Sequence, residues 1–246
     1  MSSTVIKTIA TRELAAYFES PVAYVFLVVF LLLAGFFTFS LGGFFELGEA
    51  SLNAFFNWMP WLFLFLVPAV GMRLWSEERR QGTMELLLTM PVATWQAIVA
   101  KFVASWVFLA IALLLTFPLV ITVNWLGGPD NGVIIAGYVG CLLLAGAFLS
   151  VASLTSALTR NQVVAFILAL VLCLMLILCG FTPVTSLLAR WAPRGLVDTV
   201  AAFSVLTHFE GFQKGVLDSR DLIFFFSIMA FALFTTGVVI RSHRAG

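Results

Sequence analysis

The sequence predicts an all-α polytopic membrane protein with six membrane-spanning helices, because of its composition and its long uncharged segments. Of the 246 residues, 62% are hydrophobic and only 10% are charged, whereas soluble domains average about 45–50% apolar and 25% charged residues. Six uncharged apolar stretches are long enough to cross the hydrocarbon core of a bilayer, roughly 30 Å thick, as helices. They cover residues 22–41, 55–72, 102–126, 133–159, 163–181 and 222–240.

The N-terminal segment 4–20 is predicted to form an amphipathic helix. Its apolar residues recur at helical spacing, and most of its charges fall elsewhere on the helical wheel. Glu13 lies within the apolar arc, so its carboxylate needs a partner or an exit to water. A charge that snorkels to solvent is the alternative. The apolar positions are Ile6, Ile9, Ala10, Leu14 and Tyr17.

Between the second and third spans, residues 77–91 carry five charges. At roughly 3 kcal/mol for each ionised residue at the bilayer centre, burying them would cost on the order of 15 kcal/mol, so this segment must lie in water or against a protein. Thr83 is predicted to cap a short helix over 83–90 that ends before Pro91, with Glu85 favoured at its positive end. Its apolar side chains would suit a groove on a soluble partner, whereas a solvated charged loop is the alternative. They are Leu86, Leu87, Leu88 and Met90.

The fourth span carries a surface of small residues suited to close helix packing. They are Gly137, Gly140, Ala145, Gly146, Ala147, Ser150 and Ser153. The long connection 182–221 is predicted to hold two short helices, 183–192 and 196–206, lying at the outer face as re-entrant or interfacial segments. An ordinary external loop is the alternative. No linker, low-complexity tract or internal repeat divides the chain, so residues 1–246 are predicted to form one domain.

The distribution of Lys and Arg predicts the topology. One side of the membrane would hold nine Lys and Arg residues. The opposite side would hold four, and these four all lie in the 182–221 loop. Both termini and the segment 77–91 are therefore predicted to be cytoplasmic. The nine are Lys7, Arg12, Arg73, Arg79, Arg80, Lys101, Arg160, Arg241 and Arg244.

The sequence excludes several functional classes and gives only weak support for others. The chain has no Gly-x-x-x-x-Gly-Lys-Ser/Thr motif to cradle ATP phosphates, and no predicted span contains the ionisable residue that a proton or ion relay would use. Energy for transport would therefore have to arrive through a cytoplasmic contact.

His208 and Glu210 form a His-x-Glu pair without a third ligand nearby, which is a weak indication of a metal site. The cysteines Cys141, Cys173 and Cys179 lie in apolar stretches without metal-type spacing. The net charge of +1 gives no basis for a nucleic-acid partner.

The central segment resembles a known family. Its pattern Glu78-x-x-x-Gly82-Thr83-x-Glu85-x-Leu87-Leu88-x-x-Pro91 is similar to the coupling-helix signature of type-2 ABC exporter permeases, most of all the gliding-motility-associated, GldF-like subunit. The resemblance extends to Arg12-Glu13-Leu14 near the start and to Phe209-x-x-Phe212-x-Lys214-Gly215 before the last span.

This resemblance implies a non-catalytic permease subunit, in a bacterial inner membrane, of an ATP-driven exporter or a mechanotransmission complex. Segment 4–20 would be an elbow helix, and 83–90 would be the coupling helix that docks on a cytoplasmic ABC ATPase dimer. Segments 22–41 and 163–181 would form the interface with a second permease. The resemblance favours a different chain over a second copy there. This chain would bind no cofactor, because the ATPase binds ATP and Mg.

The site residues that the resemblance implies fall into two groups. The ATPase-coupling residues would be Glu78, Arg80, Gly82, Thr83, Glu85, Leu86, Leu87, Leu88, Met90 and Pro91, and those of the elbow helix Arg12, Glu13 and Tyr17. Two other classes remain open. A membrane scaffold could use the same helix to anchor a cytoplasmic protein without transport, and an intramembrane enzyme would need catalytic residues that the sequence does not offer.

Overall fold

The computed structural model of the protein describes residues 2–46, 48–82, 93–190 and 193–242. Within these stretches the regular structure is entirely helical, with twelve α-helices, one π-helical turn and no strand. This confirms the predicted all-α fold class. The α-helices are α1 Ser2–Glu19, α2 Pro21–Phe36, α3 Asn53–Gly71, α4 Arg73–Gln81, α5 Thr94–Leu114, α6 Phe117–Leu126, α7 Asn131–Leu158, α8 Gln162–Leu178, α9 Thr182–Leu188, α10 Arg194–Ala202, α11 Val205–Gln213 and α12 Ser219–Ser242.

The helices of the described chain make it a multi-pass membrane protein. Five helical segments are long and apolar enough to cross a membrane, and there are six if α8 and α9, bent by 70° at their junction, count as one broken span. All six predicted stretches fall on these segments. The first is α2 continued by the π-helical turn Phe37–Leu41, and the third is α5 followed by α6.

The second span extends past its predicted end as a charged helix. α3 and α4 form one helical segment of 29 residues, Asn53–Gln81, interrupted only at Met72. The span predicted from the sequence ends at 72, because hydropathy identifies only the apolar part of the helical segment. The helix ends where Gly82 adopts a left-handed conformation, φ 71°, and its N–H bonds to the carbonyl of Glu78. A glycine tolerates that conformation at little cost, so it provides a stop for the helix.

The third span begins earlier than predicted and is broken in the middle. α5 starts at Thr94 rather than 102, so Lys101, assigned from the sequence to the preceding loop, lies inside the helix. α5 ends at Leu114 because Pro118 has no N–H to bond the carbonyl of that residue. At the break the Thr116 hydroxyl lies 2.6 Å from the carbonyl of Leu113.

α7 is the central helix of the bundle. It contacts α3, α4, α5, α8, α11 and α12. Small residues allow these approaches: a Cβ at Gly140 would lie 2.6 Å from the Cβ of Phe212, and one at Gly146 would lie 2.8 Å from the sulfur of Met229. The predicted small-residue surface is thus a packing surface.

The connection between the last two spans holds three short helices, whereas the sequence predicted two. α9 and α10 overlap the predicted segments, but both end earlier than predicted. The third, α11, begins at Val205, where the hydroxyl of Ser204 accepts a hydrogen bond of 3.1 Å from the N–H of Leu206. Its residues Phe209 and Phe212 are fully buried against the bundle. α11 is therefore part of the core and not an external loop.

Candidate functional site

The charged helix α4 is fixed to the central helix by one hydroxyl group. The N–H groups of Trp75 and Ser76 lie in the first turn of α4, where no carbonyl of the same helix is available to them. Both donate to Ser156 Oγ of α7 at 3.0 Å, and that hydroxyl donates to the carbonyl of Met72 at 2.8 Å. Ser156 thereby uses its one proton and both lone pairs, and so caps α4 from a neighbouring helix.

Two further contacts hold the same face of α4 against α7. The indole N–H of Trp75 donates to Ser153 Oγ at 3.0 Å, and the whole side chain is buried. The guanidinium of Arg79 donates to the carbonyl of Ala157 near the end of α7. Hydrogen bonds thus join α4 to α7 both at its start and near its end.

A buried lysine connects α4 to the N-terminal helix. Lys101 of α5 is 7% exposed, and its Nζ lies 2.8 Å from Glu78 Oε1 of α4 and 3.2 Å from Glu13 Oε2 of α1. The same ammonium lies 5.7 Å from the centre of the Trp75 ring, within the range of a cation–π contact. We call Lys101, Glu13, Glu78 and Trp75 the Lys101 cluster. One ammonium faces two carboxylates, and the exposed Arg12 supplies a second cation 3.5 Å from Glu13.

Tyr17 closes the cluster on the side of α1. The Ser105 hydroxyl donates to the carbonyl of Lys101 at 2.9 Å, so the Tyr17 hydroxyl, 2.9 Å from Ser105 Oγ, is the donor in that pair. Its ring stacks on Phe108 with centroids 5.1 Å apart. Burial raises the pKa of the Tyr17 hydroxyl, and the hydrogen bond to Ser105 partly opposes that shift. Tyr17 thus remains a neutral donor and does not add a third negative charge.

The exposed side of α4 carries a second, weaker set of contacts. Arg80 Nη2 lies 3.3 Å from Glu77 Oε1, and the Arg80 side chain is 62% exposed. Gln162, at the start of α8, donates to the other oxygen of Glu77 at 3.0 Å. α4 is therefore linked to α8 as well as to α1, α5 and α7.

The structure describes some of the predicted site residues and not others. Gly82 ends α4, and the predicted coupling helix 83–90 lies in the stretch 83–92, outside the described residues. The coupling residues in that stretch are Thr83, Glu85, Leu86, Leu87, Leu88, Met90 and Pro91. Among the described residues, Glu13, Tyr17 and Glu78 come together around Lys101, whereas Arg12 and Arg80 are mostly exposed.

Sequence reasoning missed Lys101, Trp75 and Ser156 as members of this site. The signal that could have indicated Lys101 was Glu13 itself, because a carboxylate on the apolar side of a helix needs a cation. No local pattern indicates Ser156, whose partners in α4 are 80 and 81 residues away in the chain.

His208 of α11 lies near the start of α12. Its partner there is Asp221, whereas the sequence pattern paired it with Glu210. Its Nδ1 lies 2.6 Å from Asp221 Oδ1, and its Nε2 lies 3.1 Å from the carbonyl of Ala202. Glu210 is exposed and lies beside Lys214 at 3.8 Å. In the part of the chain that the structure describes, no three His, Cys, Asp or Glu side chains are placed to hold a metal ion.

Comparison with known protein families gives a match over most of the chain. Residues 46–209, about two thirds of the chain, match the family model described as "ABC-2 family transporter protein". The matched region extends from just before α3 into α11 and includes α4, Lys101 and the central helix α7. No curated protein matches the chain.

Proposed function

This chain belongs to the ABC-2 family of transporter proteins, and we propose that it receives mechanical work from a cytoplasmic ATPase through the segment after α4. The family makes the chain a transmembrane permease component of an ABC transporter and implies an ABC ATPase as its partner. In our proposal the 83–90 helix docks on that ATPase, which binds the ATP and Mg. The complex then exports a substrate or transmits force. Within the family, the similarity to the gliding-motility-associated subunit remains a prediction.

The observation that carries this proposal is the attachment of α4. Its last residue immediately precedes Gly82 and the predicted docking segment, while Ser156, Lys101 and Gln162 attach it to other helices. At 1.5 Å per residue the 29-residue segment of α3 and α4 is ~43 Å long, enough to span the bilayer and protrude beyond it. A push on the docking segment would therefore move α4 together with α1 and α7.

The outward faces of α2 and α8 support a second proposed contact, with another permease subunit. Both helices pack against α3, and each presents a row of exposed apolar side chains. α8 buries only a narrow stripe of small or medium side chains, one residue in four: Ala165, Ala169, Cys173 and Ile177. Its exposed side consists of Val163, Val164, Ile167, Leu168, Val171, Leu172 and Met175. These surfaces could face lipid or a partner, and the family resemblance favours the partner.

The docking step is tested by Leu87→Asp in the full-length protein expressed with its ATPase. Docking would remove the new carboxylate from water without giving it a cation or a hydrogen-bond donor, which is costly. We therefore expect copurification of the ATPase to fall at least tenfold. Membrane insertion should be unaffected, because the residue lies outside all six spans. The measurement is the ratio of ATPase to permease after affinity purification in mild detergent.

Leu196→Asp is the matched control, because Leu196 is an exposed leucine of α10. It should leave the ratio unchanged. Equal copurification with Leu87→Asp and with the unmodified protein would contradict the proposal. Loss of docking without loss of transport would do the same.

A further inference from the structure

A cavity of about 300 Å³ opens beside the Lys101 cluster, between α1, the start of α2 and the junction of α3 with α4. Its volume falls at the lower end of the range typical of small-molecule sites. One wall is apolar and is formed by Val22, Ala23 and Phe26 of α2 with Ala69 and Val70 of α3. The polar part of the lining includes Arg73, the first residue of α4.

The polar lining includes one cation, Arg73, that is not held by the carboxylates paired with Lys101. Lys101 and Glu13 also line the cavity, but they are already paired with each other, and Lys101 also with Glu78. Arg73 is exposed and forms no ion pair with any residue that the structure describes. Its charge acts on the nearby Tyr17 hydroxyl, which also lines the cavity. The free cation of the cavity is therefore Arg73.

The cavity also lies where the apolar helices α2 and α3 meet α1 and the charged helix α4. Arg73 follows directly on the apolar helix α3, and the amphipathic helix α1, which also lines the cavity, is followed by the apolar helix α2 from Pro21. The apolar wall thus continues into the region of the spans, while Arg73 lies at their end. A cation at this level, with apolar surface next to it, has the chemistry of an anionic lipid site.

We propose that this cavity binds one anionic phospholipid from the adjoining leaflet, with its phosphate on Arg73 and an acyl chain along Val22, Ala23 and Phe26. A zwitterionic lipid is disfavoured, because its ammonium group would need a carboxylate and Glu13 is already paired with Lys101. The bound lipid would contact α1, α2, α3 and α4 together, next to the cluster that joins α1 to α4. This binding does not depend on the docking of an ATPase.

The test uses the full-length protein in mild detergent with equal amounts of phosphatidylglycerol and phosphatidylcholine, and native mass spectrometry measures the lipid retained. We expect phosphatidylglycerol to be retained in preference. Arg73→Gln should reduce its retention about fivefold, the loss expected for one arginine at an anionic membrane surface. Ala16→Phe should also reduce it, because Ala16 is an exposed residue of α1 that lines the cavity and a phenyl ring there would occupy the space.

Two control variants alter the same residue types outside the cavity. Arg160→Gln removes an exposed arginine from the loop after α7, and Ala15→Phe adds a ring to the neighbouring exposed position of α1. Both should retain phosphatidylglycerol like the unmodified protein. Since all four positions are exposed, the variants should fold, which circular dichroism checks.

Three results would overturn the proposal. The first is equal retention of the two lipids by the unmodified protein. The second is a loss in Arg160→Gln as large as that in Arg73→Gln, which would indicate a nonspecific effect of surface charge. The third is displacement of phosphatidylglycerol by millimolar inorganic phosphate alone, which would assign the cavity to a free anion.

Discussion

At the scale of single residues, the most informative group is the ammonium of Lys101. It is buried between two carboxylates that come from α1 and α4, and its side chain is 8% exposed while each carboxylate side chain is 23% exposed. Taking such charges out of water is costly unless every one is paired. The cluster therefore holds α1 and α4 in one relative position, and loss of its cation should affect both helices.

Lys101→Met should destabilise the protein, because it removes the buried ammonium that lies between the Glu13 and Glu78 carboxylates. Breaking a buried ion pair costs about 3–5 kcal/mol, and the partial exposure of the carboxylates reduces the expected loss to about 2–3 kcal/mol. We expect a fall in Tm of roughly 4–12 °C in detergent, measured by thermal unfolding.

Two comparisons separate this effect from a general loss of charge. Lys7→Met removes an exposed lysine of α1 and should leave Tm within about 1 °C. The triple variant Lys101→Met, Glu13→Gln, Glu78→Gln removes all three charges and should recover most of the loss. If Lys101→Met unfolds at the same temperature as Lys7→Met, the cluster has no structural role.

At the scale of helices, the important contact is the close approach of α3 and α7. A Cβ added to Gly71, the last residue of α3, would overlap the Cβ of Ala152. This approach brings the start of α4 within reach of the Ser156 hydroxyl one turn further along α7. The glycine thus determines whether α4 can be capped by its neighbour.

Gly71→Val should force α3 and α7 apart and weaken the attachment of α4. Overpacking of this kind typically costs about 1–3 kcal/mol, and loss of the Ser156 bonds would add to it. We expect a lower Tm, together with faster proteolysis at Arg79 and Arg80 as α4 detaches. Limited trypsin digestion followed by mass spectrometry measures that cleavage.

Gly35→Val is the matched control, because Gly35 lies in α2 and a Cβ there would meet no atom within 4 Å. It should leave both Tm and the digestion pattern unchanged. Equal behaviour of the two valine variants would show that the α3–α7 approach is not required to hold α4.

The helices that could be predicted from the sequence are those whose formation depends on local composition. The apolar stretches and the N-terminal helix fall on helices of the structure, five of the stretches on single spanning segments and the stretch 163–181 on α8 and its bent junction with α9, because burial in lipid requires long uncharged stretches. α4 and α11 were missed as helices. α4 is charged, and its stability depends on bonds to α7, while α11 is a short helix whose burial depends on the fold of the whole bundle.

The candidate site was only partly predictable, for the same reason. Glu13 and Glu78 could be selected from a sequence pattern, but their common partner Lys101 is 88 residues from Glu13. Such a contact is determined by how α1, α4 and α5 pack together. No pattern within one helix contains that information, and Lys101 therefore appeared only as one charge among several at the end of a span.

At the scale of the whole molecule, coupling to an ATPase depends on which side of the membrane α4 faces. The Lys101 cluster and the cavity beside it lie at the end of the bundle that carries α1 and α4, and α4 ends at the residue before Gly82, which precedes the predicted docking segment in the sequence. An ATPase can act on the chain only if this end is cytoplasmic. The distribution of Lys and Arg predicts that orientation.

The most direct measurement of this central claim is the labelling of Arg80→Cys with a membrane-impermeant maleimide. Cys141, Cys173 and Cys179 are first replaced by alanine, and Lys214→Cys, an exposed position at the opposite end, serves as the control. We expect Arg80→Cys to react in inverted membrane vesicles and not in intact spheroplasts, and Lys214→Cys to show the reverse. Labelling of Arg80→Cys from outside intact spheroplasts would place α4 away from any cytoplasmic ATPase and contradict the account.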